Sequence, residues 1–120
     1  MSALAGEWLP PMMGAAPDRR AQVMPRLVQM VERATPDSFA AQTRALLNRP
    51  DGTTVLLQIK CPTLLISGTA DTWSPLAQHR DMLRDLRNGA LVAIENAGHM
   101  APIEQPAAVA RALEEWLAQL

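Results

Sequence analysis

Two residues of this 120-residue chain are of types and in places suited to acid–base chemistry: Asp71, in GTADTWSP, and His99, in AGHMAPIEQP. Each follows a short apolar run, TLLIS at 63 to 67 and ALVAIEN at 90 to 96, and each precedes a stretch that reads as a helix. In open parallel sheets, functional groups collect in the loops beyond the carboxyl ends of the strands. Neighbouring strands lie about 4.8 Å apart, so a carboxylate on one such loop can reach an imidazole on the next. A carboxylate on one ring nitrogen fixes the tautomer and stabilises the imidazolium, leaving the other nitrogen to take a proton from a nucleophile. Each residue alone has a plainer reading. An Asp between strand and helix is often a turn or capping residue, and a loop His is often surface; the pairing at matching loop positions favours the chemical reading.

The elements that must position this pair follow from pattern. TLLIS is entered by Pro62 and left through Gly68, as expected of a strand buried on both faces of a parallel sheet. SPLAQHRDMLRDLRN predicts a helix with Ser74 as N-cap, Pro75 at its first position and Leu76, Leu83 and Leu86 on one side. ALVAIEN is the second strand. PAAVARALEEWLAQL is the last helix, with Val109, Leu113, Trp116, Leu117 and Leu120 on its apolar stripe. The order strand, helix, strand, helix predicts a right-handed crossover between parallel, adjacent strands.

Upstream of the turn-rich NRPDGTT at 48 to 54 the patterns are helical, with no strand. Val23, Met24, Leu27, Val28 and Val31 form one helical stripe, with Pro25 expected to kink the helix or mark its first turn. Thr35 reads as an N-cap, Pro36 as the first helical residue, and Phe39, Leu46 and Leu47 as an apolar face. Met12, Met13, Met24 and Met30 read as core filling rather than as the lining of an adaptable pocket. VLLQIK, just after the turn, fits either a strand or a helical turn.

Composition excludes several classes. With 48% apolar residues, 19% charged residues and a net charge of -1, this is an ordinary globular chain. Arg19-Arg20 is an isolated basic pair, so no nucleic-acid partner is expected. Cys61 is the one cysteine, which rules out an internal disulfide and fits a reducing compartment; the cytoplasm is the expected location. The opening MSALAGEWLPPMMGAAP has no basic leader and is broken by Pro10 and Pro11, so it reads as part of the fold, and no membrane association is expected. There is no G-x-G-x-x-G and no Walker loop, and two histidines with one cysteine do not make a metal site; neither cofactor nor metal is expected. His79 reads as a partly buried structural histidine, and Glu104 as a structural carboxylate near the amino end of the last helix.

CPTLLISGTADTWSP followed by LVAIENAGHMAPIEQPAAVARALEEWL resembles the carboxyl-terminal part of α/β-hydrolase-fold enzymes, particularly their lid-bearing carboxylesterase and enol-lactone hydrolase branch. That family's acid loop reads P-T-L-L-I-x-G-x-x-D and its histidine loop G-H-x-x-x-x-E-x-P; both stand here, ending at Asp71 and running from Gly98 to Pro106. The resemblance is close from about Gln42 onward and looser upstream. It implies a partial α/β-hydrolase fold: residues 1–50 as a helical lid or cap segment, and residues 51–120 as the strand-helix-strand-helix part of a parallel sheet. It implies Asp71 as triad acid and His99 as general base, with Trp73 and Met100 beside them as substrate contacts. Trp73 departs from the small or hydroxyl residue more usual at its position, and either shapes the pocket or covers the helix start.

The family's nucleophile sits in a G-x-S-x-G turn upstream, and none of Ser2, Ser38, Ser67 and Ser74 has that setting. Ser74 is accounted for as a cap, Ser67 has no sharp turn to expose it, and Cys61 lies at the wrong end of its strand, on the order of 20 Å from Asp71. The expectation is therefore a truncated hydrolase, acting on a small carboxylic ester or lactone when completed by the absent nucleophile-bearing half and inactive alone. An open sheet edge would then favour marginal stability or self-association. The alternative is a non-catalytic remnant serving as a binding or interaction module, which a clean unrelated gene upstream would favour.

Overall fold

A computed structural model describes residues 1–14 and 16–120. Three helices come first: α1 (Ser2–Met12), α2 (Pro17–Glu32) and α3 (Pro36–Leu47). Pro10 and Pro11 do not break α1 but close its last turn. α2 begins at Pro17, so Pro25 lies inside the helix and marks neither its start nor its first turn. Pro17 supplies the pre-set φ of a first helical residue. Thr35 caps α3 as read from sequence, in a reciprocal capping box with Ser38. The face of α3 is otherwise a correction: Leu46 and Leu47 are exposed, and Phe39 is partly buried with an edge-on contact to Trp8.

The ambiguous VLLQIK contributes to a single helical turn, α4 (Thr53–Leu56), and then a hydrogen-bonded turn. Strand β1 (Thr63–Gly68), helix α5 (Leu76–Asp85) and strand β2 (Gly89–Ile94) form the expected crossover, with the strands parallel and paired from Thr63↔Gly89 to Gly68↔Ile94. Glu95 and Asn96, read as strand, are instead a turn. Asn96 has a φ of 57°, a left-handed conformation that asparagine tolerates better than most residues, and it swings the chain away from β2. β1 is only partly buried until Ser67 and Gly68, a departure from the expected doubly covered strand, because the described sheet has two strands and both have a free edge. The loop after β2 contains a further short helix, α6 (Ala101–Glu104), before α7 (Pro106–Leu117). α7 buries Val109 and Ala112; Leu113, Leu117 and Leu120 from its expected stripe remain exposed.

Two apolar cores result. In the helical half Ala5, Leu9, Met13, Val23 and Leu27 pack together, with Met12, Met24 and Val28 around them; these three methionines fill space as read from sequence, whereas Met30 is exposed and does not. Beneath the sheet end, Ile94, Ala97, Ala101, Val109 and Ala112 form the other. Met100 and Ile103 pack on the first core while Ala101 sits in the second, so the histidine loop joins the halves.

This arrangement predicts uneven sensitivity to truncation. Leu27 is 1% exposed, and Leu27→Ala is expected to cost about 2–5 kcal/mol in urea denaturation. Leu47 is 79% exposed, and Leu47→Ala is expected to change stability by no more than about 0.5 kcal/mol. Similar losses for both would contradict this placement of the helical core.

Candidate active site

The two loops leaving the carboxyl ends of β1 and β2 are tied together before they reach their functional residues. Thr69 N–H donates to the Ile94 carbonyl and Ala70 N–H to the Ala97 carbonyl, both at 2.9 Å, so the parallel ladder continues past the strands. The approach is close: a Cβ on Gly68 would collide with the carbonyls of Ala97 and Gly98. Only glycine leaves room there.

Asp71 and His99 meet at this rim. His99 Nδ1 lies 2.9 Å from Asp71 Oδ2. Asp71 Oδ1 meanwhile accepts hydrogen bonds from the backbone N–H groups of Trp73 and Ser74, each at 2.9 Å. The carboxylate is thus both the turn residue of its own loop and the partner of the histidine; the two readings of this aspartate are complementary. It also replaces Ser74 as the organiser of the loop. Contrary to expectation Ser74 does not cap α5: Pro75 occupies the N-cap position, and the Ser74 hydroxyl donates to Gln78 Oε1 at 3.3 Å. Ser74's own N–H is held by Asp71, which starts the helix one residue later.

The Asp71 side chain is 6% exposed and that of His99 39%. Burial pushes the Asp71 carboxyl up, but hydrogen bonds from Ser74 N–H, the His99 ring and Trp73 N–H together outweigh it and hold the group below the ordinary carboxylate range. An ionised carboxylate can only accept, so the His99 nitrogen facing it donates, and in the neutral ring Nε2 keeps a lone pair. That is the protonation state required of a general base.

Trp73, half-exposed, stands beside the imidazole with ring centroids 6.3 Å apart. Trp8 of α1 packs edge-on against Trp73 at 5.6 Å, and Phe39 of α3 against Trp8 at 5.4 Å. Three of the chain's four aromatic side chains therefore form a row ending at His99. Met100, the other expected substrate contact, is partly buried against the helical core. The row was not foreseen from the pattern of α1; the scarcity of aromatics, with no Tyr and one Phe, was the available signal.

The backbone of the histidine loop is pinned from the helical half. His99 N–H donates to the Met12 carbonyl at 2.7 Å, and Thr72 Oγ1 to the Pro11 carbonyl at 3.2 Å. Glu104 is 4% exposed; its Oε1 accepts from Gly98 N–H at 2.9 Å and its Oε2 from Gly14 N–H at 2.6 Å. Glu104 is structural, as expected, but for a different reason. Its carboxylate is directed at two loop amides, and no cap bond to α7 involves it. His79 is partly buried, with Nδ1 3.2 Å from the Pro75 carbonyl. Cys61 is exposed before β1 and Ser67 is buried at its end. Among the described residues no group of three or more His, Cys, Asp or Glu could hold a metal ion, and no helix is long and apolar enough to cross a membrane.

A family model described as the alpha/beta hydrolase family matches residues 2–112. The chain belongs to the alpha/beta hydrolase family. Among solved structures of such hydrolases, it is 34% identical to a malate-bound thermophilic esterase from Thermogutta terrifontis, with a TM-score of 0.91 over 98% of this chain and 43% of that one. It is 26% identical to the enol-lactonase from Burkholderia xenovorans, with a TM-score of 0.87 over 98% of this chain and 45% of that one. A curated relative, the (E)-2-((N-methylformamido)methylene)succinate hydrolase of Acinetobacter baylyi, is 34% identical over 59 residues, 49% of this chain and 22% of its own length. The chain thus spans less than half the length of these hydrolases, and its two-stranded sheet and helices are a partial alpha/beta hydrolase fold.

The Asp71 geometry sets a pH dependence. Its folded pKa is lowered, so its ionisation stabilises the fold above the unfolded value of about 3.9, and that contribution is lost as the pH falls through the lower folded value. Asp71→Asn is expected to lose about 1–3 kcal/mol at neutral pH. In urea titrations the gap from wild type should close on acidification below that range; a gap independent of pH would contradict the assignment.

Proposed function

We propose that this chain supplies the acid and the general base of a Ser-His-Asp-type triad for hydrolysis of a small carboxylic ester or lactone. The observation that carries the reading is the 2.9 Å contact between His99 Nδ1 and Asp71 Oδ2, at the carboxyl ends of two adjacent parallel strands. Similarity to an esterase and an enol-lactonase supports the substrate class. In this scheme Nε2 takes the proton of a nucleophile hydroxyl as its oxygen adds to the carbonyl carbon, and Asp71 stabilises the imidazolium that results. The imidazolium then returns the proton to the departing alkoxide oxygen, and water repeats the sequence to free the acyl group. Residues 1–50 act as a lid whose Trp8 extends the apolar wall begun by Trp73, with Met100 bracing the loop behind it.

The nucleophile comes from sequence outside these 120 residues, which hold no G-x-S-x-G. The segment bearing it docks along the open sheet edge, where backbone groups await a partner.

Two measurements check this reading. The 120-residue chain should neither hydrolyse p-nitrophenyl acetate above a His99→Ala control nor be labelled by a serine-directed phosphonate; either event would contradict it. Co-folded with the nucleophile-bearing segment of an esterase of the family, the chain should gain turnover, which His99→Ala should lower by on the order of a millionfold.

A further inference from the structure

The imidazole of His99 can be aligned only as well as the backbone that carries it. That backbone is held at two consecutive amides. Gly98 N–H donates to Glu104 Oε1 and His99 N–H to the Met12 carbonyl. The second oxygen of the same Glu104 carboxylate accepts from Gly14 N–H, directly after α1. Arg19 of α2 fastens the same corner, donating from Nε to the Glu104 carbonyl at 3.0 Å and from Nη2 to the Ile103 carbonyl at 2.8 Å. There is no slack in this join: a Cβ on Gly98 would collide with the Met12 carbonyl.

We infer that Glu104 is a positioning residue for His99, and that through its two oxygens the seating of the helical segment and the alignment of the base become one event. The inference rests on the reading of His99 as the base. A carboxylate is suited to this task because it is an acceptor on both oxygens and can take one N–H from each segment. A carboxamide of the same shape offers one acceptor and one donor, so one of the two amides would face an N–H group. Lifting the helical segment would break the Gly14 bond and the Met12 bond together, releasing the loop that presents the imidazole. Glu104 acts at a distance from the chemistry, since it bonds to the loop's backbone and not to the ring.

Glu104→Gln in the full chain, followed by long-range ¹H–¹⁵N correlation of the histidine rings and by amide exchange, tests this. The amides of Thr63–Gly68 and Gly89–Ile94 should keep their wild-type shifts. Gly14 and Gly98 should exchange at least tenfold faster, and His99 should change from a single Nδ1–H tautomer to a mixture. Gly14→Ala is a second route to the same disturbance, because its Cβ would stand 2.9 Å from Glu104 Oε2 and 2.8 Å from Gly98 N. An unchanged His99 tautomer in folded Glu104→Gln and Gly14→Ala would overturn the inference, and so would collapse of the whole fold in both variants, which would assign Glu104 to stability alone. Failure of the underlying reading looks different: wild type itself would lack the Nδ1–H tautomer.

Discussion

One carboxylate closes two loops. Asp71 divides its oxygens between the two N–H groups that begin the run into α5 and the ring nitrogen of His99, and neither bond is made at the expense of the other. Charge-assisted hydrogen bonds of this kind are stronger than neutral ones, and three of them hold the ion against the cost of its burial. Local backbone order therefore depends on the same charge that orients the imidazole. Neutralising Asp71 would loosen the loop that carries it as well as the histidine that it faces.

Around that contact the two halves of the chain meet in a small volume. The histidine loop sends Met100 and Ile103 into the helical core and Ala101 into the core beneath the sheet. His99 stands between them with its ring at the surface and its backbone tied to Met12. Its backbone is flanked by the buried Ala97 and Ala101, while its ring stays 39% exposed.

How far the sequence discloses this depends on how local each cause is. The strand-helix-strand order and the parallel pairing were legible because apolar runs bounded by Pro62, Gly68 and Pro106 have local causes. So was Thr35 as the N-cap of α3, which needs only the adjoining Pro36; the reciprocal bond with Ser38 adds to it. The start of α2 at Pro17 lies upstream of the apolar stripe that begins at Val23, so periodicity alone does not mark it. Ser74 was misassigned because a serine before Pro-Leu is a good cap, and the competing carboxylate three residues upstream decides otherwise only in three dimensions. The Glu104 bridge and the aromatic row from Phe39 to Trp73 join residues far apart in the chain, and periodicity carries no information about such pairs. The faces of α3 and α7 expected to be buried are largely exposed, because periodicity gives a stripe but not the surface that would cover it, and no such surface lies against them among the described residues.

The protonation of the His99 ring tests the central claim most directly. In a uniformly ¹⁵N-labelled chain near pH 8, long-range ¹H–¹⁵N correlation should show His99 with Nδ1 protonated and Nε2 bare. Asp71→Asn should abolish that preference while leaving the ring signals of His79 where they were. A His99 ring protonated on Nε2, or averaged between tautomers and indifferent to Asp71→Asn, would contradict the account.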